Sequence, residues 1–324
     1  MVEEQSDPAV QHVPVMLDEV VRLLGGIGNR PGLRCVDLTL GLGGHAQALI
    51  AALPSDARLI GFDRDPAALS RAAQRLAAFG DRVLCEHGRF SDLTAVLDAQ
   101  GWPTVDVVLA DLGVSSLQLD DARRGFSFQR SGELDMRMDP SRGETALDLL
   151  ARLDERSCAA LLRDLGEEPH ARRIARAICG GEPSDLPKTT GELRARIAAV
   201  VGGGPRGARR DPATLTFQAL RIAVNHELDE LDALLAALPA RLAPGARVAF
   251  LAYHSLEDRR VKHAIRQWTA RCICPPELPV CRCSGKPRAV RLTSGALRPT
   301  EDEVVRNPRA RSARLRVVEW CDAG

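Results

Sequence analysis

Four short apolar runs, each closing on or beside an acidic residue or a turn, recur through the first part of the chain: Arg34–Leu38, Arg58–Asp63, Arg82–Glu86 and Val105–Asp111. Between them lie stretches rich in Ala, Leu and Arg with helical spacing, such as His45–Leu53 and Pro66–Phe79. Parallel neighbours need a crossover of about a dozen residues or more, whereas antiparallel ones can be joined by a tight turn. Strands alternating with helices at this interval therefore predict βαβ units and a parallel sheet. The runs VDVVLAD and, much later, RVAFLAY (Arg247–Tyr253) are almost wholly apolar, as strands covered on both faces must be.

The alternation then stops. From about Asp121 to Asp211 the apolar residues recur at three- and four-residue spacing, in TALDLLARL, ERSCAALLRDLG, ARRIARAICG and TTGELRARIAAVVG. Thr189 and Glu192 have the spacing of a capping box, and Gly166, Gly180 and Gly202 stand where helices would stop. GGGPRGARRDP reads as a flexible basic linker, followed by a long amphipathic helix over Thr214–Leu238. After the Arg247–Tyr253 strand come two further β-like runs, Ala289–Thr293 and Arg314–Glu319. The expectation is an α/β domain built from residues 1–121 and 214–324, interrupted by an all-helical insertion over 122–213.

A buried strand running into glycines and then a helix is the first chemical signal: VDLTLGLGGHAQAL, Val36–Leu49. Without a Cβ the backbone can turn tightly and approach a ligand closely. Asp63 ends the next strand, where an acid commonly binds ribose hydroxyls; Phe90 follows the third strand and could lie against an adenine ring; Asp111 ends the fourth. Gly41-x-Gly43-x-x-Ala46 fits the dinucleotide fingerprint, so a nicotinamide-dependent oxidoreductase is one reading. An S-adenosylmethionine (AdoMet) enzyme is the other, since that ligand has no pyrophosphate and favours an acid near the first turn, a place Asp37 fills. A tight turn with no ligand is the structural alternative to both.

Charge narrows the partners. The chain carries 44 Lys and Arg against 43 Asp and Glu, a net of +1, yet the distribution is uneven. Residues 1–121 hold 9 basic and 17 acidic side chains, while residues 255–324 hold 15 and 8. An acidic first third with a basic tail suits a small-molecule site beside a face for a polyanion; solvated faces with no partner are the alternative. No apolar run approaches the ~18 residues of a membrane span and the first dozen residues are polar, so the expectation is a cytoplasmic protein with no membrane association.

The segment after the fourth strand is far more specific: ADLGVSSLQLDDARRGFSFQRSGELDMRMDP, Ala110–Pro140. With HVPVMLDEVV (His12–Val21), LTFQALRIAVNHELDEL (Leu215–Leu231), YHSLEDRRVK (Tyr253–Lys262) and NPRARSARLRV (Asn307–Val317), it closely resembles the bacterial 16S ribosomal RNA (cytosine-N4)-methyltransferases, which modify cytidine 1402 of the small subunit. The resemblance runs over about residues 12–319 in one order. It implies a Rossmann-like AdoMet-dependent methyltransferase sheet with an inserted helical substrate-recognition domain. It carries the family's cofactor contacts onto Gly43, Gly44, His45, Asp63, Phe90, Asp111 and Gln118. It also suggests the assembled small subunit as substrate, and a homodimer. Departures stand at Leu38, where the family often has Gly, Leu117 (Pro), Leu215 (Arg) and Tyr253 (Phe).

Methylating cytosine N4 needs help at the acceptor, because the exocyclic lone pair is delocalised into the ring. Asp111 is the first candidate to accept from the amine, with pure cofactor binding as its competing role. Tyr253 could stack on an extruded base or be a core aromatic. His254 could bind RNA, take a proton late in the reaction, or be structural. Arg259, Arg260 and Lys262 on the next helix could reach phosphates. Arg123, Arg124, Phe126 and Phe128, in the loop entering the insertion, could gate the acceptor base, with ordinary packing as the alternative for the two rings. A non-catalytic assembly factor that keeps the fold is a third function class.

Nine cysteines in such a chain make no disulfide framework. Cys272, Cys274, Cys281 and Cys283 cluster as two Cys-x-Cys pairs, one residue tighter than common zinc spacings. Reduced thiols with no metal are the expectation, and structural zinc and redox sensing remain as alternatives.

Overall fold

A computed structural model describes residues 13–202, 211–272, 274, 278, 280, 282 and 285–321. Seven strands form one sheet: β1 (Arg34–Asp37), β2 (Arg58–Asp63), β3 (Val83–His87), β4 (Val105–Asp111), β5 (Leu242–Ala252), β6 (Ala289–Arg291) and β7 (Arg314–Trp320). Their order is β3-β2-β1-β4-β5-β7-β6. The first five are mutually parallel, and β7 runs antiparallel to both neighbours. The expected α/β architecture is present, with one reversed strand whose direction no apolar run could reveal. The chain passes from β1 outward to β2 and β3, then returns to place β4 on the other side. That reversal opens a crevice at the carboxyl ends of β1 and β4.

Burial explains the strand composition. All of β4 is buried except Asp106 and the terminal Asp111. On one face of the sheet Cys35, Leu59, Val107, Leu109, Ala249, Leu251 and Val317 pack with Val20 and Leu24 of the helix Leu17–Gly25 and with Ala46, Leu49 and Ile50 of the helix Gly44–Ala52. Each large aliphatic removed from water there contributes about 1.5–3 kcal/mol.

The chain divides into two compact units, residues 1–112 with 233–324, and residues 113–232. The second is wider than the expected 122–213 because the helix Thr214–Asn225 puts Phe217, Ala219, Leu220 and Val224 into the same core as Leu149, Leu162, Ile174 and Leu193. Its helices are capped from sequence. Ser115, Thr145, Asp154 and Thr189 each accept from the backbone N–H three residues on. Thr189 does so without the reciprocal half of a capping box, since the Glu192 carboxylate accepts from Lys188 N instead.

Gly166 ends its helix for a reason other than backbone freedom. The left-handed residue is Glu167 (φ 52°), whereas a Cβ on Gly166 would lie 2.7 Å from Leu215 O. The expected single helix over 214–238 is two, Thr214–Asn225 and Glu227–Ala237. His226 turns left-handed (φ 51°) between them, and the buried Asn225 amide bridges Met138 N at 2.7 Å and Met136 O at 2.7 Å. Those bonds satisfy backbone groups of the Met136–Met138 segment.

Among the described residues no helix is long and apolar enough to cross a membrane. Cys281 and Cys283 lie outside the described residues; Cys274 Sγ accepts from Arg282 N at 3.3 Å.

Candidate active site

The turn after β1 is shaped by glycines and fastened by acids. Gly43 adopts φ 76° as the helix Gly44–Ala52 begins, and its N–H donates to Leu40 O at 2.7 Å. A Cβ on Gly44 would collide with Pro14 Cγ, so this glycine is required by chain packing as much as by any ligand. Asp63, at the end of β2, accepts from Gly41 N at 2.7 Å and from Asp65 N at 2.8 Å. It holds the glycine turn in place, and burial pushes its carboxyl up. Asp37, at the end of β1, is 1% exposed and accepts from Thr39 N at 3.1 Å. Burial pushes Asp37 up to about 7, with Asp111 and Asp63 adding to the effect.

Asp111 sits across from them at the end of β4. Its N–H donates to Thr39 Oγ1 at 2.6 Å, which ties the ends of β1 and β4 together. In the register Asp111 pairs with Leu251, so Tyr253, two residues on, emerges on the same face. The Tyr253 hydroxyl donates to Asp111 Oδ1 at 2.7 Å. His45 approaches from the helix side, with Nδ1 3.5 Å from Asp111 Oδ2 and Nε2 3.0 Å from Val15 O. Burial raises the Asp111 carboxyl, and His45 and the Tyr253 hydrogen bond oppose the rise. The Tyr253 phenol is raised well above its usual range, first by burial and then by Asp111. Even so the Asp111 side chain is 23% exposed, so one approach to the carboxylate is open.

Three carboxylates at the ends of β1, β2 and β4 suit a cationic ligand with hydroxyl groups and disfavour a pyrophosphate. The Arg64 guanidinium lies over the Phe90 ring, 5.5 Å from its centroid, at the outer side of the same crevice.

The remaining candidates have varied surroundings. His254 caps the helix Ser255–Trp268: its Nδ1 accepts from Glu257 N at 3.4 Å, and Glu257 Oε2 accepts from Tyr253 N at 2.8 Å. Glu257 escaped the sequence reading although His254-Ser-Leu-Glu257 carries capping-box spacing. Thr39 escaped it too, for want of any local signal. On that helix Arg259 and Lys262 are exposed, and Arg260 is half-buried with Nη1 3.4 Å from Leu256 O. Arg314 and Arg316, from the basic tail, both donate to the buried Asp258 at 2.8 Å.

In the helical unit Gln118 is 3% exposed and its Oε1 accepts from Ser115 N at 3.0 Å. Arg123 is exposed and chelated by Asp121. Arg124 donates to the carbonyls of Arg137 and Met138. Phe126 is buried, and Phe128 packs edge-on against Phe217 with centroids 5.0 Å apart. Both rings therefore have the surroundings of core aromatics.

Comparison with known proteins places these features in context. The model of the MraW methylase family matches residues 9–321. The chain is 51% identical over 313 residues to the ribosomal RNA small subunit methyltransferase H of Anaeromyxobacter dehalogenans, covering 95% of this chain and 97% of that one. It is 48% identical over 308 residues to the protein of the same name from Syntrophotalea carbinolica, with 95% and 97% covered. A solved putative rRNA-methylase from Clostridium thermocellum aligns at 11% identity and a TM-score of 0.42, over 94% of each chain.

Proposed function

The chain belongs to the MraW methylase family, and on that premise we propose that it transfers a methyl group from AdoMet to N4 of cytidine 1402 in 16S ribosomal RNA. The observation that carries the reading is Asp111 at the topological switch point: its backbone N–H is tied to Thr39, its carboxylate accepts from Tyr253 and faces His45, and one approach is open. Bound in the crevice, AdoMet supplies a methyl group already activated by its sulfonium charge. Asp37 and Asp111 give that cation a negative surrounding, and Asp63 takes the ribose hydroxyls in this reading. Gly43, Gly44 and His45 line the turn, and Phe90 offers an apolar surface for the adenine. Gln118 follows from family resemblance alone.

The residues' work is then orientation. An acceptor holding one N–H of the amine turns the lone pair out of conjugation and stabilises the positive charge that develops on nitrogen. Asp111 takes that role in this reading, and Tyr253 fixes its carboxylate plane. Exposed Arg123, Arg259 and Lys262 are proposed phosphate contacts, and the helical unit is the proposed substrate-recognition domain. The assembled small subunit is the proposed substrate, with a homodimer acting in the cytoplasm.

Mapping modified cytidines in 16S RNA after incubating small-subunit particles with the protein and AdoMet tests the reading. A single new N4-methylcytidine at 1402 is expected; an unmodified map would defeat it. Binding of NADH in place of AdoMet would favour the oxidoreductase, against which the three carboxylates already argue.

A further inference from the structure

Both ring nitrogens of His45 face oxygen atoms. Nε2 lies 3.0 Å from the Val15 carbonyl, a group that can only accept, so Nε2 carries a proton. Nδ1 faces Asp111 Oδ2 at 3.5 Å. A closed imidazolium–carboxylate pair draws to about 2.7–2.9 Å. The pair is therefore not closed in this structure, and a neutral ring whose proton sits on Nε2 for the Val15 carbonyl presents Nδ1 to the carboxylate as an acceptor. His45 is buried, at 6% exposure, so it is shielded from bulk water as an alternative partner. On the other oxygen of Asp111 the Tyr253 hydroxyl donates at 2.7 Å and cannot take a proton while it does so.

We propose that His45 is a positioning residue for proton removal, receiving through Asp111 the proton that leaves the methylated amine. The proposal rests on the amine-methylation reading above and goes beyond a cofactor contact. As N4 gains its methyl group, the methyl–sulfur bond breaks with its electron pair left on sulfur. An N4–H bond then breaks with its pair returning to nitrogen, and an O–H bond forms on Asp111. The proton passes from Asp111 to His45 Nδ1, the carboxylate is restored, and the contact closes into a charge-assisted hydrogen bond. The proton returns to water by way of the part-exposed Asp111 carboxylate before the next turnover.

The groups facing this pair are Asp37, Thr39, Tyr253 and Glu257. Neither acid is directed at the departing proton: Asp37 accepts from Thr39 N, and Glu257 accepts from the backbone at Tyr253 and His254.

Two measurements test it on the full-length protein. Nitrogen-15 NMR of histidine-labelled protein at neutral pH reads the ring directly: Nδ1 without a proton and Nε2 with one is expected, and the reverse tautomer overturns the proposal whatever the activity. In single turnover on small-subunit particles, His45→Gln keeps a donor for Val15 O but loses the Nδ1 acceptor. At saturating AdoMet it is expected to lower the transfer rate on the order of 10²-fold, with the loss smaller at high pH. Full turnover by His45→Gln at saturating AdoMet overturns the proposal alone, since cofactor contact is then the whole of its role. No transfer by the unsubstituted protein defeats the underlying reading as well. Should the variant not fold, the NMR result on the unsubstituted chain still decides.

Discussion

Asp37 is the residue whose environment makes the sharpest claim about pH. Its carboxyl is pushed up to about 7 by burial, so the folded chain binds that proton more tightly than the unfolded one. Stability from this group is full below the ordinary carboxylate range and is lost as pH rises through about 7. Asp37→Asn keeps an acceptor for Thr39 N and removes the ionisation. Its unfolding free energy, read by urea denaturation, should match the parent near pH 4 and exceed it above pH 7 by a few kcal/mol, at about 1.4 kcal/mol per unit of pKa difference. A cation bound beside Asp37 favours the ionised form, so AdoMet binding should release protons below pH 7 and tighten between pH 6 and 8. Calorimetry in buffers of differing ionisation enthalpy reads that release. An affinity flat across the range would remove Asp37 from the sulfonium's surroundings.

Elements show where sequence carried the structure and where it stopped. Strand ends at Asp63 and Asp111 were legible because β-like runs close on turn-forming acids, and the runs alternate with helices. The direction of β7 was not, since an apolar run packs equally well either way. The break at His226 was hidden because neither Gly nor Pro announces it, and the Asn225 beside it is held by bonds to Met136 and Met138 in a loop almost ninety residues earlier. In the site, Asp37 and Asp111 were readable at strand ends, whereas the Tyr253–Asp111 bond depends on a register set by pairing between β4 and β5. Gly166→Ala should cost about 1–3 kcal/mol in urea unfolding, because its Cβ meets the Leu215 carbonyl. Gly202→Ala, with open space around it, should cost less and chiefly through φ 84°. Asp258 joins the helix Ser255–Trp268 to β7. Burial pushes its carboxyl up, yet hydrogen bonds from Arg316 and Arg314 hold it below the usual range. That stability is present above pH 4 and lost as pH falls further. Asp258→Ala should cost about 1–3 kcal/mol at pH 7, discounted because Arg314 is 38% exposed.

At the scale of the whole molecule, the uneven charge of the sequence resolves into two uses. Some of the basic excess is internal: Arg314 and Arg316 pair with the buried Asp258. Arg259 and Lys262 point outward and remain candidates for phosphate. Replacing each by Ala should lower the slope of log affinity for 16S RNA against log salt by about 1, and weaken binding alike for all sequences. Filter binding across a potassium chloride series measures this. An unchanged slope would remove that helix from the RNA face.

The pairing of β4 with β5 has a consequence for how the chain is made. Asp111 and its neighbours leave the synthesising ribosome about 130 residues before Leu242 and the rest of β5. At roughly 5–20 residues per second, the far edge of β4 stays without its partner for about 7–26 seconds. During that interval it offers an apolar, hydrogen-bond-hungry strand to any neighbour. The helical unit, complete by residue 232, can gather its own core in that time. Chaperone demand should therefore peak on nascent chains stalled between β4 and β5, and fall once residue 252 has emerged.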